Sequence, residues 1–172
     1  MTCIAIIPAR GGSKGIPNKN LAEVGGQSLV TRAIDSAIKS GVVDVVVVSS
    51  DDRNILEAAN VAGAIAIERP ADLATDSAAI EDAITHALHT FSADHHVPTT
   101  LVLLQPTSPL RKSSTISDAV RLFTENGSVG SVFGVIEAEH HPYKTLIATD
   151  ATLQPARTIE DLSRSRQELP KA

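Results

Sequence analysis

Apolar positions along this chain follow two rhythms that take turns. Continuous aliphatic runs occupy 3–7, 42–50, 64–67 and 100–105. The second contains Val45-Val46-Val47-Val48, and an unbroken β-branched run is the pattern of a strand covered on both faces. Between the runs, apolar residues recur at helical spacing. Leu29, Ala33 and Ala37, joined by Ile34 and Ile38, make one stripe, with Gly41 as the stop signal behind it. Ile55, Leu56 and Ala59 make a second, opened by Asp51 or Asp52 as N-cap and closed near Gly63. Ile80, Ile84, Leu88 and Phe91 give a third. Ile116, Ala119, Val120 and Phe123 give a fourth, with Ser113 or Ser114 as its cap.

Strands alternating with helices of this length predict βαβ units and an α/β fold, a Rossmann-like, mostly parallel sheet flanked by helices. Such sheets take ligands beyond the carboxyl ends of their strands. The segment around Arg10, Ser49-Ser50-Asp51-Asp52 and Gln105-Pro106-Thr107-Ser108 each follow an expected strand. All three should then converge on one edge of the sheet. Past Val129 the rhythm changes: 131–137 alternates like a strand, 145–148 reads as another, and from Thr149 onward no strong helix is visible. The expected division is an α/β core over 1–128 and a sheet extension with an arm over 129–172.

Composition narrows the classes of function. With 172 residues and 42% hydrophobic content, the chain can bury a substantial single core. Aromatics make up only 2%, with no Trp, which removes the stacking platform of a single-stranded nucleic-acid binder. A formal net charge of −5 offers no general basic surface to nucleic acid or an anionic membrane. Cys3 is the single cysteine, so no intrachain disulfide can form, and its apolar setting predicts a buried, inert thiol. No stretch approaches the roughly 18 apolar residues of a membrane span. The N-terminus lacks a basic segment followed by a long apolar one. The expectation is a soluble, cytoplasmic protein with neither nucleic acid nor membrane as partner. Two adjacent histidine pairs, His95-His96 and His140-His141, do not predict zinc, because neighbours in a strand point apart and no H-x-x-x-H occurs.

The densest chemistry lies in Ile7-Pro8-Ala9-Arg10-Gly11-Gly12-Ser13-Lys14-Gly15-Ile16-Pro17-Asn18-Lys19-Asn20-Leu21. Its glycines let backbone approach a ligand closely and turn N–H groups inward. Arg10, Lys14 and Lys19 add three cations. Backbone donors plus cations at the end of a first strand are what a nucleoside triphosphate needs. The loop is neither G-x-G-x-x-G nor G-x-x-x-x-G-K-[ST]. A glycine-rich surface turn with solvated lysines is the plain alternative, against which the interleaved prolines and asparagines argue for a shaped loop.

This loop resembles the signature of the CMP-sialic acid synthetases, or acylneuraminate cytidylyltransferases. Glu68-Arg69-Pro70-Ala71-Asp72-Leu73-Ala74-Thr75-Asp76 resembles that family's second nucleotide segment. Leu103-Leu104-Gln105-Pro106-Thr107-Ser108-Pro109-Leu110-Arg111 resembles its substrate segment, and Arg166-Gln167-Glu168-Leu169-Pro170 one near the acid-sugar site. The resemblance implies the nucleotide-diphospho-sugar transferase type of fold. It also implies a reaction that joins CTP to a sialic acid-type sugar, with pyrophosphate leaving. Positioning and charge neutralisation dominate such a reaction. Arg10 and Lys19 are implied as the catalytic cations at the triphosphate, and Ala9, Gly11, Gly12 and Ser13 as loop residues around it. Asn20 is implied to hold the nucleotide and Arg69 to contact its cytosine end. Gln105 is implied to read the sugar's polar groups, and Lys144 and Arg166 its carboxylate. Magnesium is implied as cofactor and a homodimer through the arm.

The residues themselves leave plainer readings beside these. Asn18 and Asn20 are also turn formers. Arg69 can pair with Glu68 or Asp72 at the surface. Gln105 can satisfy a strand end, a lone loop lysine such as Lys144 is usually solvated, and Arg111 is given a place at the next helix start with no catalytic role. The chain also departs from the family pattern. Ile80 stands where relatives carry a serine near the base, and a branched apolar side chain cannot donate to cytosine. The Asp-x-Asp pair that binds magnesium in relatives is absent, so no metal ligand is assigned and the sequence reads as a truncated form. Legionaminic and pseudaminic acids are the alternative substrates. A non-catalytic CTP-binding or dimerisation module is the alternative from another class.

Overall fold

The computed structural model describes residues 2–12, 15–136, 141–148, 152–163 and 168–169. Its elements in chain order are β1 (Cys3–Pro8), β2 (Glu23–Val24), β3 (Gln27–Ser28), α1 (Leu29–Ile38), β4 (Val45–Ser50) and α2 (Arg53–Val61). There follow β5 (Ile65–Glu68), α3 (Ile80–Asp94), β6 (Thr100–Leu103), α4 (Ser113–Glu125), β7 (Leu146–Ala148), β8 (Leu153–Pro155) and α5 (Ile159–Ser163).

Four strands make one parallel sheet in the order β5-β4-β1-β6. β1 is paired on both sides, with Ile4 opposite Val45 on one and Leu101 on the other. Its side chains alternate between two packed faces. Ile4 and Ile6, with Val47 of β4, meet Ile67 and the α3 residues Ala87 and Phe91. Ala5 and Ile7, with Val46 and Val48, meet Val30, Ala33, Ile34 and Ala37 of α1, Ile55 and Ala59 of α2, and Ile116 of α4. Both faces of the central strands are covered, which is why their sequence shows no polar alternation. The chain builds outward from β1 through β4 to β5, then returns by α3 to place β6 on the other side of β1. Strand order therefore reverses between β1 and β6, the place where open α/β sheets bind ligands.

Local chemistry explains the helix starts. Ser28 caps α1, its Oγ accepting from Thr31 N at 3.2 Å. Asp52 caps α2, with Oδ1 accepting from Asn54 N and Ile55 N. Burial pushes the Cys3 thiol up, with the Asp44 charge adding to it, in keeping with the buried, inert cysteine expected. No helix among the described residues is long and apolar enough to cross a membrane.

Several expectations need correction. α4 begins at Ser113 with Lys112 at its N-cap position and no side-chain cap, so neither Ser113 nor Ser114 performs that role. On α3 the deepest residues are Ala83, Ala87 and Phe91, and Ile84 and Leu88 of the expected stripe pack beside them, partly buried. Ile38 ends α1 half-exposed. The expected strand over 131–137 is not formed in its described part, 131–136, because no neighbouring strand offers it hydrogen bonds. Position 137 lies outside the described residues. An unforeseen hairpin joins β2 and β3 through Gly25 (φ 61°) and Gly26 (φ 77°), the paired left-handed residues that a two-residue turn requires.

The chain forms two compact units, Met1–Val132 and Phe133–Ala172, where a division after 128 was expected. Within the second, β7 and β8 pair antiparallel with Leu146 opposite Pro155, and a short turn over Pro142–Lys144 precedes them. Arg157 sits 3.9 Å over the Tyr143 ring. The five-residue α5 was not foreseen.

The two-faced core sets the first prediction. Ile6→Ala, at a fully buried position, should cost about 2–5 kcal/mol in urea unfolding. Val61→Ala, at a residue 86% exposed, should stay within about 0.5 kcal/mol of the parent.

Candidate functional site

A cleft of about 360 Å³ opens over the carboxyl ends of β1 and β6. Pro8 and Arg10 reach it from the end of β1, Gln105, Pro106 and Thr107 from the segment after β6. Lys19 and Asn20 line it from the glycine loop, Arg69 from the end of β5, and Thr75, Asp76, Ala78, Ala79 and Ile80 from the approach to α3. Three cations therefore converge on one cavity in a chain whose net charge is negative. That local excess is what attracts an anionic ligand.

The glycine loop is held from below by two neighbouring aspartates with separate tasks. Asp51 Oδ1 accepts from Gly11 N at 2.9 Å. Asp52 caps α2 and packs so closely under Gly11 that an added Cβ would lie 2.8 Å from Asp52 Cβ and Oδ2. Gly12, by contrast, has open space around it. Asn20 is buried and donates from Nδ2 to Arg10 O at 2.8 Å, so its amide shapes the loop while also lining the cleft. Asn18 adopts the left-handed region at φ 51°, which is the turn role weighed for it. Ala9 is fully buried, and its N–H donates to Ser49 O at 2.9 Å.

Arg69 is not a surface partner of Glu68 or Asp72. It is 7% exposed, donating from Nε to Ser49 Oγ at 3.1 Å and from Nη2 to Ser49 O at 2.8 Å. Burial lowers its pKa first; Asp51 opposes that shift and the Arg10 charge adds to it. A guanidinium stays protonated through any such shift, so Arg69 is a fixed cation in the cleft wall. Arg10 is more open and pairs with Asp76, Nη1 to Oδ1 at 2.7 Å. Across the cleft, Gln105 is exposed, and the Arg111 Nη2 donates to its carbonyl at 2.8 Å. Burial also lowers the pKa of Arg111. Arg32 braces the same segment, donating from Nε to Pro109 O at 3.0 Å.

Of the residues singled out from sequence, Arg10, Lys19, Asn20, Arg69 and Gln105 line one cleft, whereas Ala9 and Gly11 support the loop behind it. Gly12 is exposed. Ser13 and Arg166 lie outside the described residues, as do Lys14 and Gln167. Lys144 is in the second compact unit, half-buried in its Pro142–Lys144 turn, with its N–H bonded to His141 O at 2.8 Å. Sequence reasoning missed the pairing of Asp76 with Arg10, the seat of Arg69 on Ser49 and the bracing by Arg32, all between residues far apart in the chain, and the shorter-range bond from Arg111 to Gln105 O. The Ile80 side chain, at the first turn of α3, adds an apolar surface to the cleft. No group of three His, Cys, Asp or Glu among the described residues could hold a metal ion. The carboxylates nearest the cleft are already engaged on Gly11, the α2 cap and Arg10. The implied magnesium therefore finds no ligand set among the described residues.

A family model described as Cytidylyltransferase matches residues 4–165. The N-acylneuraminate cytidylyltransferase of Streptococcus agalactiae serotype III (strain NEM316) is 38% identical over 144 residues, covering 83% of this chain. The CMP-N,N'-diacetyllegionaminic acid synthase of Legionella pneumophila (strain Philadelphia 1) is 38% identical over 134 residues, covering 77% of this chain. This chain spans 34% of the streptococcal protein's length and 58% of the Legionella protein's. Among solved structures, a CMP:2-keto-3-deoxy-manno-octonic acid synthetase complexed with CTP shares the fold at a TM-score of 0.64. It is 20% identical, over 75% of this chain and 50% of that one.

The aspartate clamp under the loop predicts opposite outcomes at adjacent glycines. Gly11→Ala should lower stability by about 1–3 kcal/mol through the forced contact with Asp52. Gly12→Ala should leave it within about 0.5 kcal/mol. Thermal melts of the two variants check this.

Proposed function

This chain belongs to the cytidylyltransferase family, and on that premise we propose that it joins CTP to a sialic acid-type nonulosonic acid, giving the CMP-sugar and pyrophosphate. The observation that carries the reading is the convergence of Arg10, Lys19 and Arg69 on a cleft shared with Gln105 at the β1–β6 reversal. In the proposed reaction, oxygen of the sugar's anomeric hydroxyl bonds to the α-phosphorus. The α–β bridge breaks, pyrophosphate leaves with the bridging oxygen, and the hydroxyl proton passes to solvent. Little covalent work falls to the protein, so geometry and charge decide the rate.

Arg10 and Lys19 are the residues proposed to neutralise the triphosphate and the departing pyrophosphate. Gly11, Gly12 and Ser13 are proposed to supply loop donors to the triphosphate, and Asn20, bonded to Arg10 O, to hold the nucleotide. Arg69, held against Ser49, is proposed to present a fixed donor to the cytosine end, next to an apolar wall from Ile80. Gln105 is proposed to read polar groups of the sugar, and Lys144 and Arg166 to meet its carboxylate. Magnesium, when bound, would add charge neutralisation at the transferring phosphoryl group. The first unit is read as the nucleotide-binding core and the second as an arm for a homodimer, in a cytoplasmic protein. Legionaminic and pseudaminic acids are the alternative acceptors, a choice supported by the Legionella relative.

Pyrophosphate release from CTP, with magnesium supplied, is the test across N-acetylneuraminate, legionaminate and pseudaminate. Release with one acid is expected and names the substrate. Arg10→Ala should lower kcat/KM by about a hundredfold, and unaltered turnover would remove Arg10 from this role. No release with any acid from folded, CTP-binding protein would make the chain a nucleotide-binding module instead.

A further inference from the structure

We infer that Asp76 sets the anion affinity of the cleft, because its carboxylate holds the Arg10 guanidinium that an incoming phosphate must take. The inference rests on the reading that Arg10 binds phosphate. Arg10 Nη1 and Asp76 Oδ1 are 2.7 Å apart, the two side chains are 33% and 44% exposed, and both residues line the cleft. They come from different segments, Arg10 from the end of β1 and Asp76 from the approach to α3. By contrast, Lys39–Asp35, Arg121–Asp118 and Arg121–Glu125 are local ion pairs along single helices, at three- or four-residue spacing. The pair at the cleft therefore does something those do not. It joins two segments across a binding space.

A carboxylate and a phosphate offer a guanidinium the same kind of acceptor oxygen. In the ligand-free protein Asp76 fills that place. An anion entering the cleft meets a cation already neutralised and a fixed negative charge beside it, and both lower its affinity. Asp51 is a different case. It does not line the cleft, and its Oδ1 is committed to Gly11 N beneath the loop. The competition thus belongs to Asp76 alone among these two carboxylates. An exposed pair of this kind is weak enough for a polyanion to displace, and its removal should be visible as a change in affinity of about fivefold.

The test is calorimetric titration of inorganic pyrophosphate, and separately of CTP, into the parent chain, Asp76→Asn, Asp76→Ala and Arg10→Ala. Both Asp76 variants should bind pyrophosphate about fivefold tighter, with the gain shrinking in high salt. Equal or weaker binding by both overturns the inference. Arg10→Ala separates the two levels of the argument. If it binds pyrophosphate as well as the parent does, the phosphate role of Arg10 falls, and this inference with it. If Arg10→Ala binds more weakly while the Asp76 variants do not tighten, only the role of Asp76 falls.

Discussion

The site depends on one strand being paired on both sides and packed on both faces. β1 contributes no functional side chain within its buried run, yet every contact of the cleft is referred to it. Its parallel register with β4 sets Pro8 opposite Ser49, and the ladder continues as Ala9 N to Ser49 O. Its register with β6 brings Leu104 N to Ile6 O, which delivers Gln105 to the same edge. On the far side of β4, Arg69 N donates to Ser50 O and turns the Arg69 side chain back onto Ser49. A slip of one residue in any of these pairings would turn the functional residues to the opposite face. The burial of Ile4 to Ile7 resists such a slip, so core packing and site geometry are one constraint.

Charge is handled in the same economical way. The cleft gathers three cations, and the structure provides each with a different setting. Arg69 is buried on an uncharged partner, so it remains available as a fixed donor at the cost of desolvation. Arg10 is more exposed and paired with a carboxylate. Lys19 lines the cleft from a loop that Asn20 ties to the Arg10 carbonyl. The adjacent Asp51 and Asp52 divide loop support from helix capping, and neither could exchange its task for the other's without moving Gly11. That glycine is required by the close approach of Asp52 rather than by a left-handed backbone.

Much of this was legible in the sequence, for reasons that differ by element. The runs around Val45 and Ile4 announced buried strands because two covered faces demand unbroken apolar residues. In a parallel sheet the carboxyl-end segments converge, so the Arg10 and Gln105 segments are legible from the strand pattern, whereas the places of Asn20 and Arg69 follow only from the family resemblance. The β2–β3 hairpin was signalled by Gly25-Gly26 and passed over, since its strands are too short to show alternation. The alternation at 131–136 misled because a strand needs a partner, and pairing is not written in a single segment. The Arg69 seat on Ser49 and the Asp76 pair with Arg10 were invisible for the same reason. They connect residues far apart in the chain, and charge alone suggested the surface pairings that Arg69 does not make.

Those long-range contacts also bear on how the cleft could tell one base from another. α3 begins at the cleft with no side-chain cap, and its first residue is Ile80. The residue at the N-cap position, Ala79, has no side-chain acceptor to cap the helix, and Ile80 beside it has no side-chain donor to offer a ligand. Selectivity in such a cleft rests on groups whose positions are already determined. Arg69 is such a group, because two hydrogen bonds to Ser49 restrict its guanidinium before any ligand arrives. A donor fixed in advance loses little entropy on binding, and it penalises a ligand that places a donor opposite it. Ile80 lines the same cleft with an apolar side chain, and a hydrogen bond made beside an apolar surface is stronger than one made in water. A rigid cation and an apolar surface lining one cleft make an arrangement in which a single misplaced polar group is costly.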